Sequence, residues 1–297
     1  MDIFNVRINA LKHLFSFFAL CLFGQLVFCQ KQLSIDSIQE CYLKQPKYLE
    51  LGVGLSYSYF RDFATSPIFY KGYSPSISLA YQRHNTKNES RFGFHFRQGN
   101  YDFQIRNEYA RANLQAYEFQ FKHLVVLSRF SNSKWITKVG GEAIGTINLR
   151  SNSVLNNAGF GAEAIYNLML SAKVERDVSR KTTKQGKFLF INYNWKPRRR
   201  LLTYQFNTGL LNGHYRNGYA YVHQQRIINE ENWLSDYKHT IGQGLRFSSR
   251  LDYTLFFHNA NAVQFSYLWD AYSTREENTA FEFAAHLIQF SLLIGLN

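Results

Sequence analysis

The sequence predicts an all-β protein, an antiparallel up-and-down β-barrel of about 12 strands, with 10 as the alternative count. Three observations predict it. The stretch from Ala280 to Asn297, AFEFAAHLIQFSLLIGLN, alternates apolar with polar or small residues. Ile288, Phe290, Leu292, Ile294 and Leu296 therefore share one face, and Gln289, Ser291 and Gly295 the other. Segments of the same pattern recur upstream with turn residues between them. The composition holds 20 Tyr and 27 Phe against 4 Pro and 2 Met, which suits strands. Mean hydropathy is -0.32 because each oily position has a polar neighbour. A helical membrane protein would need unbroken apolar runs of about 18 residues or more, and residues 47–297 contain none.

The chain begins with Arg7 and Lys12 and then an apolar run from Leu14 to Phe28, interrupted by Ser16, Gly24 and Gln25. That order reads as a secretory signal peptide over residues 1–29, cleaved near Cys29 and Gln30. Lipidation at Cys29 is the lesser alternative, because Phe28 is bulky where a lipoprotein signal wants a small residue. Of the 3 cysteines, Cys21 and Cys29 belong to the signal, and Cys41 alone cannot form an internal disulfide. Residues 30–46 read as a short periplasmic lead or partial plug, and residues 47–297 as the barrel.

An export signal followed by repeated two-faced segments resembles the outer-membrane β-barrel proteins of bacteria, over residues 47–297. The resemblance rests on a pattern, not a motif. It implies an outer-membrane location, contact with outer-membrane lipids and lipopolysaccharide, and a non-enzymatic role as a narrow channel or an accessory component of envelope transport or secretion. Envelope or secretion-machinery proteins are the partners to expect, and no cofactor is expected. The formal net charge is +13, and removing Arg7, Lys12 and Asp2 with the signal leaves +12 on residues 30–297. Such a balance suits nucleic acid or lipid phosphates, and export favours the lipid.

Twelve strands are predicted, over 48–60, 73–82, 91–106, 114–130, 134–147, 158–173, 187–195, 200–211, 218–226, 241–257, 262–272 and 280–297. An even count returns both termini to the periplasm. In the first strand Leu49, Leu51, Val53, Leu55, Tyr57 and Tyr59 face outward, and Gly52, Gly54, Ser56 and Ser58 inward. In the third, the outward set shifts from Phe92, Phe94 and Phe96 to Tyr101, Phe103 and Ile105, which predicts a bulge or an out-of-membrane extension around Gly99 and Asn100. Links after even strands are mostly short (131–133, 258–261), and those after odd strands include long ones (61–72, 227–239). The link 174–186 breaks that rule. Trp135, Trp195, Trp233 and Trp269 fall near predicted strand ends, as a head-group girdle requires.

The inward parity collects charge. Glu118, Gln120 and Lys122 come from the fourth strand, Lys138 and Glu142 from the fifth, and Glu163 from the sixth. Pairing the fourth and fifth strands sets Lys122 opposite Glu142, with Glu163 alongside in one register. The other wall brings Arg246, Arg250 and Asp252, then Ser266 and Asp270, then Glu282 and His286. Such a row is either an acid site or, more commonly, a structural ion-pair network. Both signs at similar density predict a lumen bridged across itself, whereas a wide selective pore would show rings of one sign.

A lipid-acting hydrolase is the alternative function. Asp252, Ser266 and His286 form a row if Ser266 meets His286, but the serine then sits in the middle, where a triad needs the histidine. A secreted soluble carbohydrate-binding β-protein is the second alternative. The histidine pairs 84 and 95, 214 and 223, and 239 and 258 are too far apart for a local metal site, so no metal is expected. The glycines of GFGAE and GGEAIG lie in strands, not in a phosphate loop. Lys196, Arg198, Arg199 and Arg200, on a link assigned to the outer side, read as a clamp for lipid head-group phosphates or as a solvated loop.

Overall fold

The computed structural model describes residues 47–296, apart from 86, 106–107, 133, 153–158, 181, 189–190, 196, 218–236, 260 and 277–278. The signal peptide, the lead with Cys41, the ninth predicted strand (218–226) and Trp233 lie outside the described residues.

The described chain is almost entirely strand: β1 (Lys47–Asp62), β2 (Ser66–His84), β3 (Asn88–Ile105), β4 (Glu108–Val126), β5 (Trp135–Ser151), β6 (Phe160–Asp177), β7 (Lys184–Phe188), β8 (Ile191–Trp195), β9 (Arg200–Asn217), β10 (Tyr237–Ile241), β11 (Leu245–Phe256), β12 (Ala262–Ser273) and β13 (Phe281–Leu296). A short 3-10 turn, Ser128–Phe130, joins β4 to β5. Each strand of the ring pairs antiparallel with its neighbours, in the order β1, β2, β3, β4, β5, β6, β9, β11, β12, β13 and back to β1. The barrel is therefore closed at 10 strands, with β10 outside the count. β10 pairs with Gly213–Asn217 of β9, beyond the point where β11 leaves it, and Gly242 and Gly244 make the break at φ 81° and 104°.

Two of the twelve predicted strands account for the difference. The seventh (187–195) contributes to the β7–β8 hairpin, whose two 5-residue arms are too short to span a bilayer and pair with each other outside the ring. The ninth lies outside the described residues. The pair that is left out is what turns twelve into ten.

Period-two alternation governs the wall. In β1, Tyr48, Glu50, Ser56, Ser58, Phe60 and Asp62 are buried inside, while Leu55 and Tyr59 are exposed outside. Lys47 lies opposite both Leu296 and Arg83, so the first and last strands meet and the two ends of the ring's chain share one rim. Followed once round, the registers return to β1 displaced by about 12 residues, which for ten strands corresponds to a tilt of about 40° and a backbone diameter of about 20 Å. A ring of that width is filled by its own side chains.

Of the two expectations at Gly99 and Asn100, the bulge is absent, and the strand runs on without a shift to Ile105. The β3–β4 ladder runs unshifted from Asn88 opposite Val125 to Ile105 opposite Glu108, and Tyr101 is fully buried in the interior. The interior turns aromatic at that height, so an oily residue there does not mark the outer face. Backbones approach closely beside it: a Cβ on Gly72 would stand 2.2 Å from the Asn100 carbonyl oxygen, which only glycine tolerates. The ladders do shift at Leu168/Met169 against β9 and at Phe60/Asp62 against β2. The long outer link predicted over 61–72 is mostly strand, because β1 and β2 continue to a turn of three residues, 63–65.

The outer wall is oily. Leu55, Ile77, Phe92, Phe119, Phe121, Leu168, Leu170, Phe265 and Ile288 are all exposed. A soluble sandwich would press these faces together, whereas here no described residue covers them. Trp135 opens β5 at the rim that carries the chain ends, as predicted, but Trp269 lies within β12, away from its end.

Candidate functional site

The lumen is the site, and its side chains stack in layers. At the rim of the chain ends, Tyr48, Leu201, Phe256, Ala262 and Leu293 form an apolar cluster on one wall. Opposite it, Glu89 of β3 receives three ammonium groups, from Lys138 at 2.8 Å, Lys173 at 2.9 Å and Lys122 at 3.3 Å. Glu175 shares two of them, at 2.7 Å from Lys138 and 2.9 Å from Lys173.

In the next layer Glu50 of β1 pairs with Arg91 at 3.1 Å and lies 3.7 Å from Arg250. Arg250 also pairs with Asp252 at 2.7 Å and donates to Ser266 Oγ at 3.1 Å. Glu142 accepts from Gln205 at 3.1 Å and from Gln120. Above these, Arg246 of β11 reaches across the lumen to Glu118 of β4 at 2.6 Å while pairing with Asp270 at 2.9 Å.

Towards the far rim Asp62 pairs with Arg150 at 2.6 Å and Arg216 at 2.7 Å, and Arg150 pairs with Glu163 at 3.2 Å. Phe60, Tyr70, Tyr101, Tyr272, Phe281 and Phe283 fill the space around them, with Phe60 and Tyr70 stacked at 5.1 Å. Arg97 lies over the Phe283 ring at 4.3 Å. Buried charges of this density stand because most meet an opposite charge, while Glu142 is held by amide donors and Arg97 by a ring, and removing one partner of a pair strands the other. Two small cavities remain, of about 50 and 40 Å³, both bordered by Arg91, Lys122 and Arg250. Each has room for a few waters.

The structure brings some predicted residues together and separates others. Lys122 does stand opposite Glu142 in the β4–β5 ladder, but its ammonium goes to Glu89 and to Gln205 Oε1, at 2.8 Å. Glu163 pairs in register with Asn148, not beside Glu142, and belongs to the far layer. Glu118, Lys138, Arg246, Arg250, Asp252 and Asp270 all take part in the interior network.

Glu282 and His286, expected inside, are outside. β13 carries no shift in register, so these even-numbered positions share the outer face of Ile288. Glu282 there pairs with Arg61 at 2.7 Å, and His286 shares a 2.7 Å hydrogen bond with the Tyr267 hydroxyl.

The catalytic row falls with that. Asp252 is opposite Ser266, but Ser266 is opposite Gln289 and Asp270 opposite Ala285, so the barrel wall stands between Ser266 and His286.

Glu50, Glu89, Arg91, Lys173 and Glu175 were missed. Extending the inward parity of β3 back from Arg91 would have found Glu89. Glu89 and Glu175 also lie with His84 in a cluster whose ligand atoms are all within 4.8 Å of one another. Lysine ammonium groups already stand on both carboxylates, so this cluster does not fit a metal cation.

The basic link is on the other rim from the one expected. Arg200 is opposite Leu255 and Val178 N donates to the Arg200 carbonyl, which places Arg198, Arg199 and Arg200 at the rim of the chain ends. With the seventh predicted strand outside the ring, the link that enters β9 changes ends, whereas the 258–261 link stays at the rim of the chain ends, as expected. Lys196 lies outside the described residues.

A closed ten-stranded ring, oily outside and ion-paired within, defines the class: a β-barrel built to stand in a membrane. No family model matches the sequence, and no curated protein matches it. Among solved structures the chain is similar to the translocator domain of the autotransporter NalP from Neisseria meningitidis, at 8% identity over 87% of this chain and 94% of that one, with a TM-score of 0.36. It is similar to the transport unit of the autotransporter AIDA-I from Escherichia coli, at 9% identity over 91% and 94%, with a TM-score of 0.46. It is also similar to the COG4313 outer membrane channel from Pseudomonas putida F1, at 11% identity over 83% and 95%, with a TM-score of 0.35. The chain thus resembles bacterial outer-membrane β-barrels as a general class.

Proposed function

We propose that this protein is an outer-membrane β-barrel that serves envelope transport or secretion without catalysing a reaction, and whose own lumen is at most a narrow path. One observation carries the reading: Arg246 bridges Glu118 on the facing wall, in a lumen otherwise filled by ion pairs and stacked rings. A general pore keeps its centre open and lines it with one sign of charge. A bridged centre suits an accessory part instead.

Conductance across a planar bilayer tests this. Purified barrel inserted into the bilayer is expected to give no steady large conductance, and a stable wide-open level would overturn the proposal. The hydrolase alternative has its own test. Ser266→Ala and His286→Ala variants are expected to match the unaltered barrel in any assay of lipid hydrolysis, since the two side chains lie on opposite faces of the wall. Loss of a lipid-cleaving activity in both would revive that alternative.

A further inference from the structure

The lumen pairs its charges internally, so the excess of +12 must lie elsewhere. Residues 176–200 carry nine Lys and Arg against Asp177 alone, which places +8 of it in one connection. That connection leaves the ring at the end of β6 and re-enters at the start of β9, with the β7–β8 hairpin between.

The rim is built in a way that concentrates the charge. Arg180 and Arg198 are direct partners in an isolated antiparallel bridge, held by Arg180 N donating to the Arg198 carbonyl at 3.3 Å. Like charges placed opposite each other repel, and an anion between them reverses the sign of that contact. Neighbouring guanidiniums rest on rings: Arg176 over Trp135 at 4.9 Å and Arg198 over Phe257 at 5.6 Å. A cation seated on an aromatic ring at the edge of an oily belt stands at head-group height. At the opposite rim Arg61 pairs with Glu282 at 2.7 Å and Arg111 with Asp102 at 2.9 Å.

We infer that Arg176, Arg180 and Arg198 form a binding surface for the phosphates of anionic glycerophospholipids in the periplasmic leaflet. The inference rests on the proposed outer-membrane reading, with the chain ends towards the periplasm. Lipid A phosphates share the chemistry but occupy the other leaflet, beside the opposite rim.

The test uses the whole barrel in phosphatidylcholine bilayers doped with spin-labelled phosphatidylglycerol or spin-labelled phosphatidylcholine. The barrel is expected to prefer the anionic label by about five-fold or more, and to lose that preference as salt rises towards about 0.5 M. The triple variant Arg176→Gln/Arg180→Gln/Arg198→Gln is expected to abolish the preference, while the same three changes to lysine keep it and Arg111→Gln leaves it untouched. A preference that survives the glutamine variant, or ignores salt, overturns the inference. If the glutamine variant does not fold, the salt titration and the lysine variant decide alone.

Two further outcomes overturn it in specific ways. An epitope inserted after Thr182 and detected on intact cells would put this rim in the wrong leaflet. Binding of an acidic soluble protein by the rim, with no lipid preference, would assign it to a protein partner. A protein that washes off membranes without detergent defeats the membrane reading itself; a firmly embedded one without anionic preference defeats only this inference.

Discussion

Replacing Glu89 with glutamine is expected to destabilise the barrel by about 3–5 kcal/mol, because it removes the charge that three buried lysines share. Glu175 would be left alone with Lys138 and Lys173, and Lys122 would keep only neutral amide oxygens, of Gln205 and of the introduced glutamine, within reach. The measurement is the denaturant midpoint of the barrel in lipid vesicles. Glu89→Gln/Lys122→Met should recover part of the loss, since it removes the cation left without an anion, and contacting residues couple by about 0.5–3 kcal/mol. An unchanged midpoint for Glu89→Gln would mean that water or ions reach this layer freely, and the closed lumen would go with it.

The second large effect concerns the outer wall. Phe119 and Val125 lie on the same strand and the same face, 47% and 48% exposed, so in a soluble protein an arginine would cost nearly the same at either. In a bilayer depth decides. Phe119→Arg is expected to cost about 2–4 kcal/mol at mid-wall, and Val125→Arg, next to the end of β4, about 0–1 kcal/mol. Equal costs in vesicle refolding would show that no hydrocarbon surrounds the wall.

Much of this was legible in the sequence, through one rule. Alternation placed Leu55 outside and Ser56 inside, found Arg246, Arg250 and Asp252 in the lumen, and left ten strands as the alternative count. It failed where the rule was applied without its condition. Tyr101 was assigned to the outside because it is oily, although the odd positions of β3 face in at Arg91, Arg97 and Gly99. His286 was assigned to the inside because it is polar, although it shares parity with Ile288. Strand ends are less legible: β2 reaches 19 residues, beyond the oily stretch 73–82, while β4 begins six residues before the expected 114 and stops at Val126, short of the expected 130.

The partners of each charge were less legible. Arg246 and Glu118 are 128 residues apart and meet only because the ring brings β11 across from β4. Nothing in local spacing encodes a distance across a lumen. The basic connection was visible as composition, but its rim depended on the strand count, so one misassigned strand reversed its side.

The seam between β1 and β13 has a consequence for biogenesis. Its ladder joins Lys47 to Leu296, so the ring cannot shut until β13 is in place. Until then the earliest strand carries a bare edge, and the oily stripes of its neighbours are open to any sticky surface they meet. Closure between the first and last strands of the ring joins residues far apart in sequence, so its assembly should be slow and intolerant of the loss of β13.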